Sequence, residues 1–402
     1  MLKKTNNYLK KYHQEHLLTY YNDLSIEEQI DFLHEINKLD LGKMAKIYKQ
    51  SYEEKTFNIN DYSPLPTVTR QELSNTQHAE KLLLNNQYGI VILGGGHGSR
   101  LGYSGPKGCL ELNINNRLIS LYEIYINQLK ESYNKYHQYI NAYIMTSTTN
   151  DTATKEYFEM HNYFDYPKDH IHFFIQEDLP ILNLEGKLLL KDKSKVLQGP
   201  NGNGSVYESL KKNDLLHDMK KKNIKYLLFI PIDNPLVKIV DLPFLETSLT
   251  SGYELVTKTI LKDSDTEMDG VFCKYKGKPA VLSKDHMTKE INNIIIDGDY
   301  AYRDKNIVYH LMSLKKVIYF SKVNLPYHRA YKKNSYLDLQ GNYQVPEKPN
   351  TFKFELFIYD AFCHAKDMLL YRVGNDESLA IKTKEDIIKV EEYFKNHPVD
   401  FN

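Results

Sequence analysis

Tryptophan is absent from the 402 residues, and only three cysteines occur, Cys109, Cys273 and Cys363. A set that is odd in number and widely scattered supplies neither a disulfide framework nor paired metal-ligand spacing, so a reducing compartment is expected. No run of about 18 apolar residues occurs that could cross a membrane, and the polar N-terminus MLKKTNNYLKKYHQEH lacks the apolar stretch of a signal peptide. An excess of either charge is missing too, with 52 Lys+Arg against 52 Asp+Glu. No global field then favours nucleic acid or an anionic membrane, and any anion site must be local. The 15 histidines include no HExxH or similarly spaced metal pair. These absences predict a cytoplasmic protein with no nucleic-acid partner and no membrane partner, and they leave its oligomeric state open.

What is present divides into three stretches. Residues 1–87 read as a helical N-terminal segment, in which Ser25 and Glu28 fit a capping box and Ile26, Ile30, Leu33 and Ile36 follow at helical spacing. Pro64 and Pro66 mark an extended connector. From Tyr88 short apolar runs end in polar loops: YGIVIL, NAYIMTS, IHFFIQ and YLLFIPID, with amphipathic stretches such as LISLYEIYINQLKESY between them. Buried strands alternating with helices predict an α/β fold, a Rossmann-like doubly wound sheet over 88–335 with ligands beyond the carboxyl ends of its strands. Residues 336–402, from FKFELFIYDAF to EDIIKVEEYF, read as a small C-terminal subdomain.

Between Val91 and Gly108 the chain reads VILGGGHGSRLGYSGPKG, seven glycines with Arg100 and Lys107 as the only charges. Glycines after a buried strand let backbone N–H groups approach an anion. No GxGxxG register threads through the loop and no GK[ST] follows, so it is neither a dinucleotide fingerprint nor a P-loop. A glycine-rich turn with surface cations is the plain alternative.

The loop resembles the signature of the UTP:sugar-1-phosphate uridylyltransferases, in particular the UDP-N-acetylhexosamine pyrophosphorylases, in its glycine-rich start, RLG and PKG. Further blocks are similar in the family's order: FFIQEDLP, GPNGNGSVYESL, PIDNPLVKIVDLPF, YRDKNIVYHLMSL, LPYHRAYKK, NTFKFELFIYD and ESLAIKTKED, spanning Tyr88 to Lys382. The chain is shorter than many eukaryotic members, which fits a bacterial-type form. The resemblance implies a nucleotidyltransferase-type mixed sheet and attack by a sugar 1-phosphate on the α-phosphorus of UTP, giving a UDP-sugar and pyrophosphate. Because the nucleophile is already ionised, such catalysis rests on positioning and charge neutralisation rather than on a general base.

The resemblance also assigns roles. Arg100, Lys107 and Lys382 are to neutralise phosphate charge. Gly94, Gly95, Gly96, Gln176, Gly202 and Asn203 are to bind the nucleotide, and Asn234, Asn306, Lys353 and Glu355 the sugar. Asp233, at the end of an apolar strand, is to hold Mg²⁺ against phosphate oxygens, although Asp-Asn-Pro is also an ordinary turn initiator. His310 and His328 lie in matched blocks and read as packing or hydrogen-bonding residues.

The pattern breaks at Ser283, where the family's EYSE block places a glutamate on sugar hydroxyls. Ser205 ends the GNG block, and His97 and Ser99 vary the first loop. N-acetylglucosamine 1-phosphate is the leading substrate. Alternatives are N-acetylgalactosamine 1-phosphate, glucose or galactose 1-phosphate, or a catalytically silent sugar-nucleotide-binding protein. An oxidoreductase is disfavoured by the failed GxGxxG register.

Overall fold

The computed structural model describes residues 1–53, 57–262, 264 and 270–397. Packing separates two units, each discontinuous in sequence: one drawn from 1–56, 177–205 and 325–357, the other from 57–176, 206–324 and 358–402. These units interleave the segments 1–87, 88–335 and 336–402, because strand pairings between distant stretches, which leave no local signal, decide what packs with what.

The smaller unit carries helices α1 (Leu2–Lys11), α2 (Ile26–Lys38) and α3 (Leu41–Gln50). The capping box forms as expected: Ser25 Oγ accepts from Glu28 N at 3.3 Å, and Glu28 Oε2 accepts from Ser25 N at 2.8 Å. The expected apolar face is displaced. Ile26 and Ile30 are 78% and 48% exposed, and Phe32, Leu33 and Ile36 form the buried side. Of these, Phe32 and Ile36 pack into a core with Leu9, Leu17, Met44, Leu188, Leu190 and Phe354. Residues 198–200 pair antiparallel with 178–180, and 328–332 with 351–355.

The larger unit holds an 11-stranded sheet. Its strands are β1 (Tyr62–Ser63), β2 (Thr67–Thr69), β3 (Tyr88–Leu93), β4 (Asn141–Thr146), β5 (Ile171–Ile175), β6 (Tyr226–Pro231), β7 (Leu255–Leu261), β8 (Val271–Tyr275), β9 (Lys278–Leu282), β10 (Asp304–Ser313) and β11 (Leu369–Arg372). The main path runs β2-β11-β7-β10-β6-β3-β4-β5, with β1, β8 and β9 as a side branch. The apolar runs read from sequence are the strands β3 to β6, all parallel, and β10 alone on the main path is antiparallel to its neighbours. All six residues of β3 are buried, as a parallel strand covered on both faces requires. Helices α4 (Gln77–Leu84), α5 (Leu121–Tyr136) and α6 (Lys384–Asn396) belong to this unit.

Winding proceeds from β3 outward through β4 to β5, then returns to place β6 on the other side of β3. The loops after β3 and β6 therefore diverge at a switch point, where an open α/β sheet leaves a crevice. Opposite β7, strand β10 bulges: Tyr309 pairs with Lys258 and Asn306 with Thr259, leaving residues 307 and 308 extra. Val308 sits at φ 57°, a strained conformation for a β-branched residue. Among the described residues no helix is long and apolar enough to cross a membrane.

Candidate active site

The loop after β3 folds back on itself rather than opening a helix. Gly98 N donates to Gly105 O at 3.1 Å and Lys107 N to Gly96 O at 3.0 Å, so His97 and Pro106 face each other as an isolated bridge. Asn150, buried, fastens the loop from outside by donating to Gly94 O at 3.0 Å and Gly96 O at 3.2 Å. His97 pairs with Thr149 Oγ1 at 2.8 Å, a loop-tying role. Gly94 N is used by Met145 O, whereas the N–H groups of Gly95 and Gly96 meet no acceptor among the described residues. Gly96 is exposed. Two adjacent donors on a fixed loop form the kind of concavity that takes an anion.

Gln176 explains why Gly95 is glycine. This residue, 5% exposed, follows β5 and is held by Gln176 N donating to Thr146 O at 2.9 Å. A Cβ built on Gly95 would stand 2.1 Å from its Nε2. The bare backbone thus lets the amide lie directly beside the loop, where it can read a base edge.

Opposite the loop, the turn that follows β6 carries Asp233. Its Oδ2 accepts from Lys107 Nζ at 2.8 Å, with side-chain exposures of 26% and 14%. The turn beyond is fixed by Tyr125, whose buried hydroxyl lies 2.8 Å from Pro231 O and 2.7 Å from Asn234 O. Asn234 is engaged at both ends of its amide: Nδ2 donates to Ser378 Oγ at 2.9 Å and Oδ1 accepts from Leu379 N at 3.0 Å. Each end of the amide keeps a second hydrogen-bonding position beyond these bonds. Asp233 O accepts from Ile381 N at 2.8 Å, so residues 375–381 run along the end of β6.

Arg100 and Lys382 are both exposed. Lys382 N donates to Asp386 Oδ2 at 2.9 Å, which sets the start of α6. Next in line, Lys384 has its Nζ 3.3 Å from where a Cβ on Gly102 would stand; sequence reading passed it over. Asn306 accepts from Val308 N at 2.8 Å and so braces the β10 bulge. Since His310 pairs with Phe229, Asn306 lies past the carboxyl end of β6, on the edge that carries Asp233. Ser283 is exposed after β9, with its Oγ 3.2 Å from His286 Nδ1. His310 is a packing residue, as expected: Nδ1 pairs with Thr257 Oγ1 at 2.7 Å, and burial pushes it down to about 3.

The remaining predicted residues belong to the smaller unit. Gly202 has φ +91°, and a Cβ there would stand 2.4 Å from Leu356 O, so only glycine fits. Asn201 O accepts from Leu356 N at 2.7 Å and Leu356 O from Gly204 N at 2.9 Å, binding the Asn203 turn to the end of strand 351–355. On that strand Lys353 Nζ and Glu355 Oε1 pair at 2.9 Å.

Missed entirely was a buried ionic cluster in the larger unit. Lys258 on β7 is 2% exposed and pairs with Glu377 at 2.8 Å and with Asp241. Arg70 pairs with Asp241 at 2.7 Å and with Glu377 at 2.8 Å. The lysine inside LVTKTIL was the only signal.

A mixed sheet wound about a switch point, with a glycine-rich loop whose Lys107 pairs with Asp233, narrows the family. The profile of the UTP–glucose-1-phosphate uridylyltransferases matches residues 41–397. The chain belongs to this family. Among relatives of the uridylyltransferase, the UDP-N-acetylglucosamine pyrophosphorylase of Saccharomyces cerevisiae is 31% identical over 87% of this chain and 78% of its own length. The UDP-N-acetylglucosamine diphosphorylase 1 of Arabidopsis thaliana is 30% identical, covering 92% and 77%. The fold is also that of the UDP-N-acetylglucosamine pyrophosphorylase of Trypanosoma brucei, crystallised with an inhibitor: TM-score 0.77, 22% identity, 95% of this chain and 82% of that one.

Proposed function

We propose that this uridylyltransferase makes a UDP-sugar and pyrophosphate from UTP and a sugar 1-phosphate, with N-acetylglucosamine 1-phosphate as the substrate. The observation that carries the reading is the loop 94–107 held against the end of β6, with two free N–H groups, Arg100 and Lys107 on one side and Asp233 on the other. A phosphate monoester needs no deprotonation at neutral pH, so the barrier to attack is charge repulsion between nucleophile and triphosphate. Preorganised donors and cations lower that barrier directly. In this reading Gly95, Gly96, Arg100, Lys107 and Lys382 receive the triphosphate, and Gln176, Gly202 and Asn203 are each assigned to the nucleotide by the resemblance. Asn234, Asn306, Lys353 and Glu355 are assigned to the sugar, and Asn234 also holds residues 378–379 beside the turn that carries Asp233.

The donor set fits a divalent cation of the Mg²⁺ kind. No cluster of three His, Cys, Asp or Glu suited to a metal occurs among the described residues, and Lys107 contacts only Oδ2 of Asp233. Mg²⁺ is commonly held by one or two carboxylates together with substrate phosphates. Asp233 would hold it with phosphate oxygens, and the ion would supply further charge neutralisation. The reading places the enzyme in the cytoplasm, where UTP and sugar phosphates are available.

The test is pyrophosphate release from UTP and Mg²⁺ with glucose, galactose and both N-acetylhexosamine 1-phosphates, repeated with ATP, CTP, GTP and dTTP. Release with UTP and N-acetylglucosamine 1-phosphate is expected. Release with another sugar alone would move the substrate, and silence with UDP-sugar still bound would make the protein a binder.

A further inference from the structure

Residues 375–381 form a strap with little secondary structure of its own, placed by ion pairs and hydrogen bonds as well as by apolar packing of Leu379 and Ile381. Its near end is fixed by Glu377: Oε1 accepts from Arg70 Nη1 at 2.8 Å and Oε2 from Lys258 Nζ at 2.8 Å. Its middle is fixed by Asn234, through Ser378 Oγ at 2.9 Å and Leu379 N at 3.0 Å. Its far end is fixed by Ile381, fully buried, whose N–H donates to Asp233 O at 2.8 Å. Lys382 follows at once, and Lys384 begins α6 beside Gly102.

We propose that Lys258 and Glu377 form an ionic latch that positions this strap for catalysis. Lys258 grows from β7, and its ammonium also lies 4.6 Å from the Tyr309 ring centroid. Asp241, with a fully buried side chain, holds both Lys258 and Arg70 from the other side. Burial alone would push the Asp241 carboxyl up, but the two cations hold it below its ordinary value, so it stays charged. Ion pairs this deep add little net stability over apolar packing of the same volume. What they supply is a fixed position, and here that position is transmitted along the strap to Lys382. Glu377 and Lys258 touch no substrate; they are positioning residues. The catalytic part of this proposal rests on the uridylyl-transfer reading, whereas the latch itself is a property of the protein alone.

Glu377→Gln is the informative variant, because it is isosteric, leaves both cations paired with Asp241, and alters a rim position whose side chain is 10% exposed. Thermal unfolding should stay within a few degrees of wild type while kcat falls about tenfold, since misplacing a catalytic element by a fraction of an ångström costs rate rather than fold. The double variant Glu377→Gln/Lys382→Ala should be no slower than Lys382→Ala alone, because the latch acts through the strap. Amide exchange at Leu379 and Ile381 should quicken in Glu377→Gln. Wild-type kcat in Glu377→Gln, losses that multiply in the double variant, or unchanged exchange at both amides would each overturn the proposal. If wild type itself releases no pyrophosphate from UTP, the functional reading fails, and the exchange measurement alone decides the latch.

Discussion

The glycine loop 94–107 and the strap 375–381 both bring cations to the carboxyl edge of the same sheet, and they do so by opposite means. The loop is built locally: strand β3 delivers it, hydrogen bonds between Gly96, Gly98, Gly105 and Lys107 close it, and glycine allows the close approach of Gln176. The strap has no such local logic. Its anchors lie 119 residues away for Lys258–Glu377 and 144 for Asn234–Ser378. Local construction fixes the shape of an anion cradle, whereas distant ion pairs fix where a separate stretch of chain meets that cradle.

The comparison breaks hardest where loop and sheet meet. Lys107→Ala and Asp233→Ala should each lower kcat at least about a hundredfold with the circular dichroism spectrum unchanged, the effect expected when preorganised charge is removed from a phosphoryl-transfer site. Near-normal turnover in either would remove that residue from its role. Chelation sharpens the same point: EDTA should abolish pyrophosphate release and Mg²⁺ restore it, and turnover persisting in metal-free buffer would take Asp233 out of a metal site. Next in size comes the strap, with about a tenfold loss in Glu377→Gln.

Smaller again is Gly95→Ala. The added methyl clashes with the end of the Gln176 amide, 2.1 Å from Nε2 and 3.0 Å from Cδ, while the backbone Thr146 O lies at an ordinary 3.5 Å, so the amide must swing aside. KM for UTP should therefore rise several-fold and discrimination against CTP weaken, with little change in thermal midpoint. Unchanged KM and selectivity would separate Gln176 from base reading. The mildest effect lies away from the site, at His310. In the folded protein burial pushes it down to about 3 from 6.5, so between those values the unfolded chain binds the extra proton. Stability is then full above about 6.5 and declines as pH falls toward about 3, by up to about 1.4 kcal/mol per pH unit from this group. Urea unfolding of His310→Gln across this range should show a shallower slope than wild type, and identical slopes would contradict the buried neutral imidazole.

The same contrast explains what the sequence disclosed. The central strands, the capping box at Ser25 and Glu28, the glycine loop and the emergence of Asp233 at a strand end all rest on short-range patterns, and each is found where the residues predict it. The helix face with Ile26 and Ile30 was misplaced because spacing alone does not say which side meets the core. Asn234 reads as a ligand residue from its motif, but nothing local shows that its amide also ties down the strap, a partner more than a hundred residues away. Asn150 sits in the polar run TSTTND without any distinguishing signal, and the division into two interleaved units follows from strand pairings such as 328–332 with 351–355. Lys258 was readable in part, since a lysine within an apolar strand demands a buried partner, but nothing local names Glu377.

The most direct measurement follows the α-phosphorus itself. UTP carrying a radiolabelled α-phosphate is incubated with N-acetylglucosamine 1-phosphate and Mg²⁺, and the products are separated. The account predicts that the label appears in the UDP-sugar and none in pyrophosphate, at a rate that Lys107→Ala lowers at least about a hundredfold. Label remaining in UTP, or leaving it without entering a UDP-sugar, would contradict the assignment of this loop and Asp233 to uridylyl transfer.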